Sequence, residues 1–280
     1  MSEMGAPAIE RARFEVLPFA GIEAEAARLA RPIRLAVTCS PAHGPDRGVE
    51  VATELCGSGH SVTVHVAARM VRDRGHLDAL LAGMADACVD DLFLIGGDAE
   101  RPLGDYSSAV ELLPVIAEHP QRPAAIGIAG YPEGHPRVAD DELEDALREK
   151  SRLADYVVTQ MCFEPEPLQR WIDRHDELPV FIGMPGKVTR RKLVKMSARI
   201  GVGPSVDFLR KQRGLRQLLS PRSTVDRLYA EIGRLDVAGF QFFTFNELAD
   251  TWEWWEENGD VGTEPAGASG RLGRHGRAAA

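Results

Sequence analysis

Short, nearly continuous apolar runs recur along the chain, and longer amphipathic stretches separate them. The runs predict eight β-strands: Arg13–Leu17, Ile33–Thr38, Ser61–Val66, Asp91–Ile95, Ala124–Ala129, Tyr156–Thr159, Val180–Gly183 and Gly239–Phe245. Apolar residues three and four positions apart predict helices over Gly48–Cys56, His76–Ala87, Ser107–Glu118, Asp141–Leu153, Pro167–His175, Thr189–Ile200 and Ser223–Leu235. Strands that are apolar on both faces and alternate with helices indicate a parallel sheet covered on both sides.

The number of strand–helix units favours one α/β fold over another. Eight strands that alternate with helices predict a closed, single-domain (β/α)8 TIM barrel, and the 280 residues of the chain suit a fold of about 250 residues. An open doubly wound sheet is the alternative, but it normally carries a glycine-rich phosphate loop after its first strand, and none follows Leu17. We expect the barrel at residues 13–258, an N-terminal extension at residues 1–12, and a disordered tail at residues 259–280, which are rich in Gly, Ala and Arg.

Composition and charge argue against several classes of function. The net charge is −9 without a basic stripe, which disfavours nucleic acid as a partner because phosphate binding needs clustered Lys and Arg. The chain has neither an apolar run of the roughly 18 residues that span a membrane nor the apolar segment of a signal peptide. We therefore expect a cytoplasmic protein that binds no membrane. The four cysteines form no CxxC pair, and HExxH, DxDxDG, GxSxG and Walker sequences are missing, so we expect no metal site and neither a hydrolase nor an NTPase.

Polar residues at the carboxyl ends of the predicted strands are candidates for the active site, because TIM barrels carry their active sites there. They are Thr38, His65, Asp98, Tyr131, Gln160 and Asn246. Glu15 is a further candidate because it lies inside the first strand, where burial would raise its pKa toward that of a general acid at neutral pH. The residues leave open the alternative that Glu15 faces solvent or pairs with Arg13.

Three of these features have both a functional and a structural interpretation. A lone histidine such as His65 in a strand is more often a hydrogen-bonded core residue than a ligand-binding one. Asp98 follows Gly96 and Gly97, which either let the backbone approach a ligand or simply form a turn. The loop at residues 130–136 contains two prolines, two glycines, a tyrosine and a histidine, and this composition suggests a rigid wall of a ligand site.

Taken in order, these segments resemble the methylenetetrahydrofolate reductase family from about Arg13 to Trp255. The segments are Phe14-Glu15-Val16-Leu17-Pro18, Thr38 with its loop, Val64-His65, Leu94-Ile95-Gly96-Gly97-Asp98, Asp105-Tyr106-Ser107-Ser108, Gly130–Pro136, Leu147–Lys150, Thr159-Gln160 and Phe242–Asn246. Each motif alone is weak, but their common order and spacing make the resemblance specific.

The resemblance implies a barrel that holds FAD and reduces 5,10-methylenetetrahydrofolate to 5-methyltetrahydrofolate with NAD(P)H, in the one-carbon metabolism that leads to methionine. It implies that Glu15 is the acid that helps to open the methylene bridge, that Asp98 stabilises the cationic iminium, and that Asp98 and Gln160 hold the pterin ring. The residues implied to contact FAD are Thr38, His65, Gly97, Asp98, Tyr106, Ser107, Tyr131, His135 and Lys150, the last as a partner of the pyrophosphate.

The sequence departs from the family at several positions. Gly96 stands where the family commonly has an arginine beside the flavin, and Cys39 and His43 lie in an altered loop. Pro221-Arg222-Ser223 does not match the family pattern, and Phe208 is a loose candidate for stacking on the nicotinamide.

Two other functions stay open. The departure at Gly96 allows a folate-dependent enzyme of one-carbon transfer or demethylation on the same barrel. The acidic surface and the cluster of Trp252, Trp254 and Trp255, which either packs the last helix or forms a partner surface, allow a non-catalytic subunit that binds folate or flavin. Assembly into a homo-oligomer is left open as well.

Overall fold

In the computed structural model, which describes residues 11–39, 42–135, 137–188 and 225–259, eight parallel strands close into one barrel. The strands are β1 (Ala12–Val16), β2 (Arg34–Val37), β3 (Ser61–Ala67), β4 (Asp91–Ile95), β5 (Ala125–Gly130), β6 (Tyr156–Met161), β7 (Val180–Pro185) and β8 (Gly239–Phe243). Each strand pairs in parallel with its neighbours in chain order, and β8 returns to pair with β1. The predicted (β/α)8 TIM barrel is confirmed, and the open sheet is excluded.

Helices follow the strands and pack against the sheet. They are α1 (Ile22–Ala26), α2 (Gly44–Gly57), α3 (Arg74–Asp86), α4 (Ala109–Ala117), α5 (Asp140–Lys150), α6 (Pro165–Ile172), α7 (Val225–Ile232) and α8 (Leu248–Asn258). Helix α1 is not among the predicted helices, because its five residues are too few to show a helical period. Helix α8 is expected from the sequence only as the last helix, packed by the tryptophan cluster, without predicted bounds. The predicted helix at Thr189–Ile200, Phe208, residues 221–223 and the predicted tail from residue 260 onward lie outside the described residues. Within the described ranges, no helix has the length and apolar character needed to cross a membrane.

The outward faces of β1 and β8 pack under α8 through aromatic rings. Phe14 and Phe242 stack with their centroids 5.6 Å apart, and Trp252 meets Phe14 edge-on at 5.5 Å. Trp252, Trp254 and Trp255 are at most 4% exposed. The tryptophan cluster therefore holds α8 against the barrel and is not available as a partner surface.

The amino ends of the strands are closed from inside by four polar residues, Arg13, Thr63, Asp91 and Tyr156, which we call the floor network. Arg13 donates to Asp91 at 3.1 Å and to the Tyr156 hydroxyl at 2.8 Å. Tyr156 and Thr63 each donate to Asp91 at 2.7 Å. A side chain on Gly127 would come within 2.3 Å of the Tyr156 ring, so only glycine leaves room for this network.

Candidate active site

A cavity of about 230 Å³ lies at the carboxyl ends of the strands. Five of the predicted site residues line it: Glu15, Thr38, His65, Tyr131 and Gln160. Its other lining residues are Cys39, Phe93, Ile95, Ala129, Val158, Thr159, Gln241 and Phe243. Because sites for drug-sized ligands usually measure about 300–1,000 Å³, this cavity accepts a single ring system.

Glu15 points into the barrel because side chains alternate along β1, with Phe14 facing the helices and Arg13 and Glu15 facing inward. Burial raises the pKa of Glu15 to about 8, and a hydrogen bond from Gln241 opposes the rise. Arg13 pairs with Asp91 of the floor network and not with Glu15. Glu15 is therefore a neutral carboxylic acid at pH 7 and has a proton to donate.

Gln241 is a polar residue of the cavity that the sequence analysis did not single out. Its Nε2 donates to Oε2 of Glu15 at 2.8 Å, and the residue is 1% exposed. Its Oε1 is buried without a partner in the described part of the chain. The available signal was a lone amide in an otherwise apolar strand, Gly-Phe-Gln-Phe-Phe, which is the same signal that identified Glu15.

His65 of β3 and Thr38, which follows β2, face the cavity from the neighbouring strands. His65 is 4% exposed and its ring lies 4.7 Å from that of Phe93, centroid to centroid. Burial and the charge of Arg13 lower the pKa of His65 to about 3, so the imidazole is neutral at pH 7. Neither Nε2 of His65 nor Oγ1 of Thr38 has a hydrogen-bond partner among the described residues. His65 is thus buried, but this ring nitrogen does not behave as that of a hydrogen-bonded core histidine.

Gln160 lies at a bulge in β6, where the pairing with β7 shifts between Val158 and Met161. The Thr159 hydroxyl replaces the missing ladder bonds, since it accepts from the Gly183 amide at 2.9 Å and donates to the Gln160 carbonyl at 2.9 Å. A side chain on Gly183 would come within 2.5 Å of the Thr159 carbonyl oxygen. Bulges commonly redirect a side chain at functional sites, and here the Gln160 amide enters the cavity with both polar atoms buried and unpaired.

Unpaired buried polar atoms concentrate at this cavity. Of eight such side-chain atoms in the described residues, five belong to residues that line it: Oγ1 of Thr38, Nε2 of His65, Oε1 and Nε2 of Gln160, and Oε1 of Gln241. Native proteins rarely leave buried polar groups without partners. The concentration therefore makes this cavity the candidate site for a ligand that carries both hydrogen-bond donors and acceptors.

Asp98 lies at the same end of the barrel but does not line the cavity. Its Oδ1 accepts from Arg137 at 2.7 Å, and both side chains are about half exposed. The ion pair joins the loop after β4 to the loop after β5. The predicted contacts of Asp98 with the pterin ring and with FAD stay predictions.

Three residues predicted to contact FAD lie around this ion pair. Tyr131 lines the cavity, and its ring meets that of His135 edge-on at 5.1 Å. Burial, together with the charge of Asp98, raises the pKa of Tyr131. Gly97 has a φ of +92°, and a side chain there would come within 2.8 Å of the Ala67 Cβ. The left-handed turn and the close contact with Ala67 are thus sufficient to explain why residue 97 is a glycine.

Tyr106, Ser107 and Asn246 have structural partners. Tyr106 is partly buried and packs against the core. The Ser107 hydroxyl donates to Glu111 at 2.6 Å at the start of α4. Asn246 accepts from the Leu17 amide at 2.7 Å and donates to the Leu17 carbonyl at 3.1 Å, so it fastens the end of β8 to the end of β1.

Lys150 lines a second, larger crevice of about 600 Å³ that shares Ala129 and Tyr131 with the cavity. Burial lowers the pKa of Lys150 to about 8, and its Nζ donates to the Ala129 carbonyl at 3.4 Å. The crevice also contains Arg174 and five carboxylates, which are those of Glu133, Asp140, Asp141, Glu144 and Glu164. Acidic residues thus outnumber basic ones around Lys150. In the described ranges, no three His, Cys, Asp or Glu side chains are arranged to hold a metal ion.

The chain is similar in sequence to a known enzyme family. The sequence model of methylenetetrahydrofolate reductase matches residues 48–184. Methylenetetrahydrofolate reductase 2 of Schizosaccharomyces pombe is 30% identical over 109 residues, and methylenetetrahydrofolate reductase 1 of the same yeast is 31% identical over 87 residues. These alignments cover 34% and 28% of this chain, but only 17% and 14% of the yeast proteins.

Among solved structures, the chain resembles enzymes of a different description. Oxaloacetate acetylhydrolase in complex with 3,3-difluorooxalacetate superposes with a TM-score of 0.52 at 10% identity, over 90% of this chain and 80% of the other. The same enzyme with the product oxalate gives a TM-score of 0.51 at 11% identity, over 90% and 81% of the two chains. At such low identity the similarity shows the barrel fold and nothing about the reaction.

Proposed function

We propose that this chain, which belongs to the methylenetetrahydrofolate reductase family, reduces the methylene carbon of 5,10-methylenetetrahydrofolate to a methyl group with hydride from NAD(P)H. The observation that carries the proposal is the neutral acid Glu15 in a cavity lined by unpaired polar atoms. An oxidoreductase of this class needs a proton, a hydride and a site that orients a flat heterocycle. The barrel supplies the first and the third.

The proton step follows from the position of Glu15. Its carboxylic acid protonates a nitrogen of the methylene bridge, the carbon–nitrogen bond breaks, and the other bridge nitrogen forms an iminium with the methylene carbon. A bound hydride donor would supply the hydride that adds to this carbon to give 5-methyltetrahydrofolate, and NAD(P)H would be oxidised to NAD(P)⁺. Glu15 is left as a carboxylate and regains its proton from water, so the reaction consumes one proton and two electrons.

The unpaired atoms suit the pterin ring as the first ligand of the cavity. Gln160 offers a donor and an acceptor, Gln241 offers an acceptor, and Thr38 offers both through its hydroxyl. A ring with amide and amino groups would satisfy these atoms together. Asp98 would reach the ring only from the loop after β4, and Asp98→Asn should raise the KM for folate if it does so.

FAD fits the described residues only in part. Thr38, His65 and Tyr131 could contact a ring in the cavity. The crevice around Lys150 does not suit a pyrophosphate, because five carboxylates share it with two basic residues. Gly96 stands where the family commonly has an arginine, and among the described residues nothing lies within 4 Å of the position that its Cβ would take. FAD stays a prediction from the sequence.

The test begins with the visible absorption spectrum of the purified full chain, which shows directly whether flavin is bound. Oxidation of NADH and NADPH is then followed with methylenetetrahydrofolate, with and without added FAD. We expect nicotinamide oxidation that depends on the folate and formation of 5-methyltetrahydrofolate, identified by mass spectrometry. A chain that oxidises neither nucleotide in the presence of the folate, under either condition, would contradict the proposal.

A folate-dependent one-carbon transfer is the second candidate, because the cavity accepts a single ring system and the crevice disfavours a pyrophosphate. This candidate function predicts tight folate binding without nicotinamide oxidation. Isothermal titration measures the binding, and the assay described above measures the oxidation. The non-catalytic subunit loses one of its arguments, since the tryptophan cluster is buried. A cytoplasmic location and a homo-oligomer stay predictions from the sequence.

A further inference from the structure

The hydrogen bond from Gln241 distinguishes the two oxygens of the Glu15 carboxyl group, because it reaches only one of them. The amide Nε2 donates to Oε2 of Glu15 at 2.8 Å. In the described part of the chain, no hydrogen bond reaches Oε1 of Glu15, whose side chain lines the cavity. Gln241 itself is 1% exposed, so its amide cannot exchange this partner for bulk water.

The direction of that hydrogen bond determines which oxygen carries the proton. A neutral carboxylic acid has one carbonyl oxygen that accepts and one hydroxyl that donates. Because the amide N–H of Gln241 needs an acceptor, it makes Oε2 the carbonyl oxygen and leaves the hydroxyl on Oε1. We propose that Gln241 is a positioning residue, which holds the proton of Glu15 on Oε1, toward the bridge nitrogen of bound folate. The inference rests on the proposed reduction.

The other titratable groups at the cavity do not compete with Glu15 near neutral pH. Burial lowers the pKa of His65 to about 3, raises that of Cys39 to about 11, and raises that of Tyr131. Arg13, the inward-facing residue below Glu15 on β1, is paired with Asp91 of the floor network. Lys150, whose pKa burial lowers to about 8, lies in the neighbouring crevice and donates to the Ala129 carbonyl at 3.4 Å. Because Lys150 is an amine, a titration of a carboxyl group near pH 8 at this cavity reports on Glu15.

The substitution Gln241→Met tests the proposal, because methionine has a similar length and no amide. The hydrogen bond from Gln241 lowers the pKa of Glu15. Its loss should move the alkaline limb of the pH profile of kcat/KM upward by about half to one pH unit. Because the proton is no longer fixed on Oε1, kcat should fall about tenfold even where Glu15 is fully protonated.

Gln160→Met is the matched control, since it removes a second buried amide of the same cavity that does not contact Glu15. It should raise the KM for folate and leave the alkaline limb in place. In a Glu15→Gln background, Gln241→Met should change kcat far less than in the wild type, because no proton remains to be held. Gln241→Asn, whose amide is one methylene short of Oε2, should shift the limb in the same direction and serves if the methionine variant does not fold.

An infrared titration of the protonated carboxyl band, in the full chain without substrate, separates this inference from the proposed function. An upward shift of the midpoint in Gln241→Met, with the band lost in Glu15→Gln, supports the positioning role. An unchanged midpoint together with an unchanged alkaline limb overturns it. If the chain shows no folate reduction, the proposed function fails, while the infrared midpoint still tests the contact between Gln241 and Glu15.

Discussion

The two ends of the barrel interior differ in how completely their buried polar groups are paired, although Nε of Arg13 at the amino ends also has no partner among the described residues. At the amino ends, Arg13, Thr63, Asp91 and Tyr156 bond to one another at 2.7–3.1 Å. At the carboxyl ends, polar atoms of Thr38, His65, Gln160 and Gln241 are equally buried but have no partners in the described residues. Paired groups stabilise the closed end of the fold, whereas buried polar groups without a hydrogen-bond partner cost stability, which a ligand that pairs with them would return. The contrast favours the carboxyl ends of the strands as the functional end of the barrel.

Glu15→Gln should show the largest effect at the open end. The amide keeps the shape of the side chain and removes its acidic proton, so folate reduction should fall by about 10²- to 10⁴-fold. Folate should still bind, because the other polar atoms of the cavity remain. Steady-state kinetics and isothermal titration measure the two quantities. A loss of binding as large as the loss of turnover would contradict the assignment of Glu15 as the acid.

Asp91→Ala should show the largest effect at the closed end. It leaves the Arg13 guanidinium buried without its counter-ion, since the two side chains are 2% and 15% exposed. Breaking such a pair costs about 3–5 kcal/mol in the free energy of unfolding, which urea denaturation measures. The exposed pair of Arg31 and Glu256 provides the control, because Glu256→Ala should cost about 1 kcal/mol or less. Equal losses in the two variants would remove the distinction drawn for the floor network.

The pH dependence of stability sharpens the comparison further. The pKa of Glu15 is raised from 4.5 to about 8, so the folded state binds its proton more tightly than the unfolded state does. The resulting stabilisation is complete below pH 4.5 and is lost as the pH rises through 8. Relative to Glu15→Gln, the wild type should lose about 1.4 kcal/mol per pH unit across this window. Denaturation curves of the two proteins that run parallel with pH would show that Glu15 is not held as a neutral acid.

Gln160→Met should have the smallest effect on the fold and the opposite sign. It removes two buried polar atoms that have no partners, so the free energy of unfolding should stay constant or rise by up to about 1 kcal/mol. The KM for folate should increase at the same time. Thermal unfolding and steady-state kinetics on one preparation test both statements. A clear loss of stability would mean that the Gln160 amide has a structural partner.

The strands could be predicted closely from the sequence because each is buried on both faces. All eight predicted strands overlap the observed ones, and β4 matches residue for residue at Asp91–Ile95. Helix boundaries were harder to predict than strands. Helix α2 begins at Gly44, four residues before the predicted start, because Pro45 is tolerated in the first turn. Helix α1 was not predicted, because five residues are too few to show a helical period.

Site residues could be predicted where their position in a strand places them at the cavity. They could not be predicted where their role depends on a contact with a residue that is distant in the sequence. Glu15, Thr38, His65 and Gln160 follow from strand ends and alternation. The role of Gln241 depends on the closure of β8 onto β1, which places residues 226 positions apart in contact. Asp98 lies outside the cavity and forms an ion pair with Arg137 of another loop, and no local sequence pattern predicts that ion pair.

The bulge in β6 makes the chemistry of the cavity sensitive to chain length. Three residue steps of β6, from Val158 to Met161, oppose two steps of β7. Deletion of Thr159 would restore a regular ladder and place Gln160 opposite Ile182, whose side chain packs in the hydrophobic core, so the Gln160 amide would leave the cavity. The loss of one residue would then remove the Gln160 amide from the wall of the cavity and make that wall less polar, with no amino acid exchanged. Relatives with a different number of residues in β6 should therefore differ in the ligands that they bind, even where the neighbouring residues are identical.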